Sequence, residues 1–186
     1  MTHADPKDIE LLVLDVDGVL TDASINIDDH GVETKRFNVR DGFGMRLWLD
    51  AGYTLAFITG RTGDALRHRL EGFGIPDELI IQGSGDKAED LAAILERTGI
   101  APERTAYIAD DWPDMAAMKR VGYPMAVSDA EYEVKAISRF MTERDGGHGA
   151  VRDAIAHLLT RRGEYSPPVD IGEPTKEGLT RHAETE

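Results

Sequence analysis

The apolar residues of this chain fall into short unbroken runs, separated by longer stretches in which apolar positions recur every three or four residues. Leu11–Leu14 is four aliphatic residues in a row, and 53–58, 79–81, Thr105–Ala109, 125–127 and 139–141 are further short apolar runs. A run without polar alternation suits a strand covered by helices on both faces. Between the runs, the pattern predicts helices over 41–51, stopped by Gly52, and over 63–71, 87–97, 131–137 and 150–159. In 87–97, Leu91, Ile94 and Leu95 share one face. A further helix starts near Pro113, a favoured first-turn proline, and ends at Gly122.

Strand and helix in alternation predict right-handed βαβ units and an α/β fold, a doubly wound parallel sheet. Ligands of such sheets lie beyond the carboxyl ends of the strands. One segment breaks the alternation. Positions 23–27 and 32–39 are short β-branched runs around the turn Asp28-Asp29-His30-Gly31, which predicts a small β-hairpin inserted over about 23–39. Ile25, Ile27 and Phe37 on its edges are an aggregation hazard for a lone subunit, and point to pairing with other subunits. No insertion is long enough for a large cap domain. The domain is expected to span 8–162, and 163–186, with three prolines, many charges and no period, reads as a mobile tail.

Composition narrows the function. With 41% hydrophobic and 30% charged residues over 186 positions, the chain fits one domain with a substantial core. A net charge of −14 and a pI near 4.8 argue against nucleic acid or an anionic membrane as a partner. Any anionic substrate must therefore be met by local positive charge or by a metal. The absence of cysteine excludes disulfides, thiolate metal sites and cysteine nucleophiles. No run reaches membrane-spanning length and 1–10 lack an apolar signal core, so a cytoplasmic location is expected.

The candidate chemistry lies at the strand ends. The first strand ends in Asp15 and Asp17, whose carboxyls point the same way while the chain stays extended, and Gly18 then lets the backbone turn. The second ends in Thr59, the fourth in Asp110 and Asp111, and Lys87 opens the helix after the third. Each has an ordinary structural explanation: Thr59 as a helix cap, Lys87 as a solvated lysine, Asp110, Asp111 and Asp114 as acidic residues favoured around a helix start. Brought to one rim together, they form the parts list for phosphoryl transfer. Carboxylates hold a hard cation such as Mg²⁺, metal and lysine neutralise phosphate charge, and the hydroxyl donates to a phosphate oxygen. A carboxylate can also serve as nucleophile and a second as acid and base.

Asp15-Val16-Asp17-Gly18-Val19, Ile58-Thr59-Gly60, Lys87 and Ala109-Asp110-Asp111-Trp112-Pro113-Asp114 resemble the four ordered motifs of the haloacid dehalogenase superfamily of phosphohydrolases. The hairpin, residues 37–44, Thr59-Gly60-Arg61 and Gly146-Gly147-His148-Gly149 resemble its capless subgroup of 3-deoxy-D-manno-octulosonate 8-phosphate phosphatases. The resemblance implies a Mg²⁺-dependent hydrolase of a phosphorylated sugar acid with Asp15 as nucleophile and metal ligand. It makes Asp17 the general acid and base, with its backbone carbonyl a second ligand, and Asp110 the third protein ligand. Asp111 and Asp114 support the ligands, Thr59, Gly60 and Lys87 hold the phosphoryl group, and Arg61, Arg69 and His148 lie near the sugar acid. It also implies a homotetramer closed by the hairpins, and a role in lipopolysaccharide biosynthesis.

Two positions depart from the family pattern. Ala109 stands where glycine is usual, and His148 where these phosphatases often carry arginine. A nononate 9-phosphate is thus an alternative substrate, although Arg61 favours the octulosonate. From another class, a receiver-like signalling domain uses similar groups, but there the acceptor aspartate lies in mid-chain and the lysine comes last, whereas Lys87 precedes Asp110. A catalytically silent domain that keeps the fold is the remaining alternative.

Overall fold

The computed structural model describes residues 4–165. Its centre is β1 (Leu11–Leu14), in which every side chain is buried. The strand is flanked by β4 (Thr54–Thr59) and β6 (Thr105–Ala109), with Leu12 opposite Leu55 on one side and Ala106 on the other. Outward from these lie β5 (Ile80–Gln82) beyond β4, and β7 (Tyr123–Ala126) then β8 (Phe140–Met141) beyond β6. All five pairings are parallel, in the order β5-β4-β1-β6-β7-β8. The α/β class read from the sequence is the class observed. Because the chain winds from β1 to β5 on one side and resumes at β6 on the other, the strand order reverses between β1 and β6. A crevice opens at their carboxyl ends there.

Helices α1 (Val39–Asp50) and α6 (Ala150–Arg162) pack on each other, and α3 (Lys87–Thr98) packs on the short α4 (Met115–Met118). Two further short helices, α2 (Asp64–Leu70) and α5 (Tyr132–Ile137), complete the crossovers. Helix α1 starts two residues earlier than the apolar period indicates, because the Asn38 side chain accepts from Arg40 N at 2.9 Å and caps it. The helix expected from Pro113 is mostly not one. A 3₁₀ turn, Trp112–Asp114, leads into the four residues of α4, and Arg120 N and Val121 N then bond back three residues, which ends the helix.

The hairpin is present but slight. β2 (Asn26–Ile27) and β3 (Glu33–Thr34) pair antiparallel as a separate two-stranded sheet, and Ile25, Ile27 and Val32 are all more than half exposed. Ordered structure continues past α6: Tyr53 Oη donates to Glu164 at 2.8 Å, and Arg152 donates to Tyr165 Oη at 2.8 Å. The expected tail from 166 to 186 lies outside the described residues.

Trimming the central strand should be felt by the whole sheet. Leu12→Ala removes a fully buried side chain and is expected to destabilise the fold by about 3 kcal/mol. Calorimetry should then show a drop in Tm of roughly 6–12 °C, and a drop within error would contradict the placement of β1 at the core.

Candidate active site

Four elements deliver side chains to the crevice. β1 stops at Leu14, so Asp15 is the first residue beyond it, held by its N–H to the Ile108 carbonyl at 3.1 Å. The chain then coils tightly: the Val16 carbonyl accepts from Val19, Leu20 and Thr21 N–H groups. Gly18 has φ +99°, and a Cβ there would collide with the Asp110 carboxylate at the end of β6. Only glycine therefore lets the two strand ends approach. Gly146 has the same duty one layer out, since a Cβ on it would collide with the Gly18 carbonyl.

At the floor of the crevice, oxygens of Asp15, Asp110 and Asp114 lie within 4.8 Å of one another. Lys87, the first residue of α3, places its ammonium 2.8 Å from Asp15 Oδ1 and 2.7 Å from Asp114 Oδ1. Asp86 caps α3 by accepting from Ala88 and Glu89 N–H groups, so the helix start is fixed and Lys87 with it. Asp114 is saturated: Lys87 donates to both of its oxygens, and Tyr107 Oη donates to Oδ1 at 2.7 Å.

One ammonium does not balance three closely spaced carboxylates, two of them buried and Asp110 half-buried. Burial, with Asp15 and Asp114 beside it, pushes Asp110 up to about 8. Asp114 is pushed up to about 6 by burial and Asp15, with Lys87 and Tyr107 pulling the other way. Burial also raises Asp15, against the pull of Lys87. Burial alone would lower Lys87, but Asp15 and Asp114 more than reverse it and its pKa is raised. Asp110 Oδ1 is buried with no hydrogen-bond partner. A hard divalent cation meets both needs, because it binds carboxylate oxygen and supplies the missing positive charge. The donor set therefore fits Mg²⁺.

The carboxylate of Asp17 stands apart from this trio. With the backbone already coiling at Val16, it turns away from Asp15: Thr59 Oγ1 donates to its Oδ2 at 3.1 Å, and Lys35 Nζ pairs with its Oδ1. Extended geometry through Asp17, expected from the sequence, is not what the chain adopts. Asp17, Thr59, Gly60, Arg61, Lys87, Asp110, Asp111 and Asp114 all line one cavity of about 280 Å³ with Asp15. Asp111 lies at its rim and caps the 3₁₀ turn through Trp112 N at 2.7 Å. Arg69 and His148 do not line it. Arg69 reaches the Asn38 carbonyl at 3.5 Å and lies over Phe73, and His148 Nδ1 bonds the Gly146 carbonyl at 2.8 Å. A larger hollow of about 690 Å³ between Phe140 and α6 contains none of these residues.

Three contributors escape sequence reading. Tyr107 sits inside the apolar β6 run and reads as core. Glu33 and Lys35 sit on the hairpin and read as solvated charges, although their two-residue spacing could have placed them on one face of a strand.

A model of the haloacid dehalogenase-like hydrolases matches residues 77–155. The 3-deoxy-D-manno-octulosonate 8-phosphate phosphatase KdsC of Escherichia coli K12 is 40% identical over 161 residues, covering 87% of this chain and 85% of that protein. Among solved structures, the corresponding phosphatase from Yersinia pestis superposes with a TM-score of 0.83 at 36% identity, over 86% of this chain and 85% of that one. That from Moraxella catarrhalis, solved with magnesium, phosphate and KDO, superposes with a TM-score of 0.82 at 36% identity, over 86% and 90%. Sheet order and site thus define a capless hydrolase of the haloacid dehalogenase type. The chain belongs to the family of these KdsC phosphatases and is a phosphoric monoester hydrolase.

The charge imbalance has a measurable consequence. Mg²⁺ at about 100 times its Kd should stabilise the metal-free protein by about 2.7 kcal/mol, seen as a rise in Tm of roughly 5–11 °C. Asp110→Asn is expected to abolish that rise, and an undiminished response in the variant would remove Asp110 from the cation site.

Proposed function

We propose that this chain hydrolyses 3-deoxy-D-manno-octulosonate 8-phosphate to the free sugar acid and phosphate, through a phosphoryl group carried on Asp15. The observation that supports this most directly is the pairing of Lys87 with Asp15 at 2.8 Å, beside a carboxylate cluster at the switch point of the sheet. Lys87 opposes the upward push of burial on Asp15 and holds its carboxyl in place by the ion pair. A bound Mg²⁺, held by Asp15, Asp110 and the Asp17 carbonyl, would supply the positive charge that draws a phosphate dianion into an acidic site.

The reacting steps fall to Asp15 and Asp17. An Asp15 carboxylate oxygen attacks phosphorus, the P–O bond to the sugar breaks, and Asp17 gives its proton to the departing alkoxide. Asp17 then takes a proton from water as that water attacks phosphorus. The bond to Asp15 breaks, inorganic phosphate leaves, and the carboxylate is restored. Thr59, whose hydroxyl donates to Asp17 in this structure and which lines the cavity, would turn that hydroxyl to a phosphoryl oxygen together with the Gly60 amide. Asp114 steadies Lys87, with both its oxygens already engaged.

The substrate assignment draws on the relatives named above and on Arg61 at the mouth of the cavity. We also infer a homotetramer assembled through the hairpins, because Ile25, Ile27 and Val32 there, and Val39 and Phe43 at the start of α1, are exposed apolar side chains without cover in one chain. In such an assembly, Arg69 and His148 would act at sites the single chain does not close.

Two measurements test these readings. With Mg²⁺ and a panel of octulosonate, nononate and hexose phosphates, the octulosonate ester should give the highest kcat/KM, and Asp15→Asn should lower kcat at least about 10³-fold. Preference for hexose phosphates would refute the substrate, and an active Asp15→Asn would refute the nucleophile. By light scattering, the protein should run as a tetramer and Ile27→Glu as smaller species; a monomeric unmodified protein would refute the assembly.

A further inference from the structure

Above the catalytic floor, the hairpin carries a carboxylate that the proposed chemistry does not use. Glu33 lines the cavity and is held by two cations: Arg61 Nη2 donates to its Oε2 at 2.6 Å, and Lys35 Nζ lies 3.6 Å from its Oε1. Lys35 is nearly buried, its side chain 10% exposed, and it also pairs with Asp17, so it connects the mouth of the cavity to the floor. Arg61 follows directly on the Thr59-Gly60 turn, its N–H donating to Thr59 Oγ1 at 3.2 Å, so its guanidinium stem is anchored to the phosphoryl-binding segment. A ligand whose phosphate rests among Thr59, Gly60 and Lys87 thus shares one cavity with Glu33 and its two cations.

We propose that Glu33 is a built-in surrogate for the substrate's carboxylate, which a phosphorylated sugar acid displaces from Arg61 and Lys35 on binding. This rests on the phosphatase reading above and adds the device by which the site tells acids from neutral sugars. The exchange is carboxylate for carboxylate, so the two cations keep an anionic partner throughout. A neutral sugar phosphate has nothing to exchange, and leaves Glu33 in the mouth, its charge facing the incoming phosphate. Selectivity then arises from repulsion of the wrong ligand as much as from attraction of the right one.

The test uses the full chain with Mg²⁺ and two hairpin variants, Glu33→Gln at an exposed position and Lys35→Met at a nearly buried one. Free 3-deoxy-D-manno-octulosonate probes the carboxylate subsite as a competitive inhibitor, and D-arabinose 5-phosphate serves as an ester with no carboxylate. Removing the surrogate's charge should lower the Ki of the free acid roughly two- to five-fold, the range for one solvent-facing ion pair, and Lys35→Met should raise it by a similar factor. The ratio of kcat/KM for the octulosonate ester over the arabinose ester should fall in both variants, in Glu33→Gln because the arabinose ester is no longer repelled and in Lys35→Met because the octulosonate ester loses a cation. Any effect of Lys35→Met on kcat through Asp17 leaves that Ki comparison intact. A Ki that is unchanged or raised in Glu33→Gln, or kcat/KM values for both esters that move by one common factor, overturns the inference while the phosphatase stands. Absence of phosphate release from either ester by the unmodified protein overturns the phosphatase reading, and this inference falls with it.

Discussion

Three carboxylates share a buried floor with a single ammonium, and the rest of the site follows from that shortage of positive charge. Asp15 and Asp110 are forced together because the first and fourth long strands are neighbours, and Asp114 joins them one turn later. Lys87 can neutralise one charge and orient two. The balance comes from a proton, as the raised pKa of Asp110 indicates, or from a ligand, for which carboxylate oxygen favours a hard cation. A protein that crowds like charges in this way gives up stability in the free state and recovers it on binding.

Close approach at that floor depends on absent side chains as much as on present ones. Gly18 gives the Asp110 carboxylate its room, and Gly146 gives Gly18 its own. Further contacts fasten the second loop: Gly147 N bonds the Val19 carbonyl at 3.0 Å, and Asn38 Nδ2 donates to the Gly147 carbonyl at 3.3 Å. Asn38 caps α1 at the same time, so the helix after the hairpin and the loop before α6 are registered on the turn after β1 by one side chain. Asp41 extends the tie by accepting from Arg152 N at 3.0 Å.

Much of this was legible in the residues, and the exceptions have physical causes. Unbroken apolar runs located the parallel strands because a doubly covered sheet needs no alternation, and connection rules gave the doubly wound class, while the strand order came only with the structure. Lys87 looks misplaced from sequence, since a helix start disfavours a cation; its reason is two carboxylates delivered from other strands, which no local pattern reveals. Asp15 and Asp17 share the cavity, and the tight coil at Val16, which no pattern in the sequence marks, sets the Asp17 carboxylate against Thr59 and Lys35. Tyr107 was invisible because a phenol inside an apolar strand looks like packing until its hydroxyl is seen on Asp114. Helix ends shifted where a cap, Asn38, outranked the apolar period.

The hairpin's slightness has its own implication. Its strands are two residues each, and from Ala23 to Val32 every residue is exposed and none joins the core. Folding stability and ligand choice are therefore written in separate parts of the chain. Drift in the loop can retune what the enzyme accepts with little penalty to the sheet, while the chemistry beneath is inherited unchanged. A lineage built this way could acquire new substrates by editing the polar positions of the loop while Ile25, Ile27 and Val32 stay fixed by the proposed assembly, and a designer could graft such loops between relatives on the same terms.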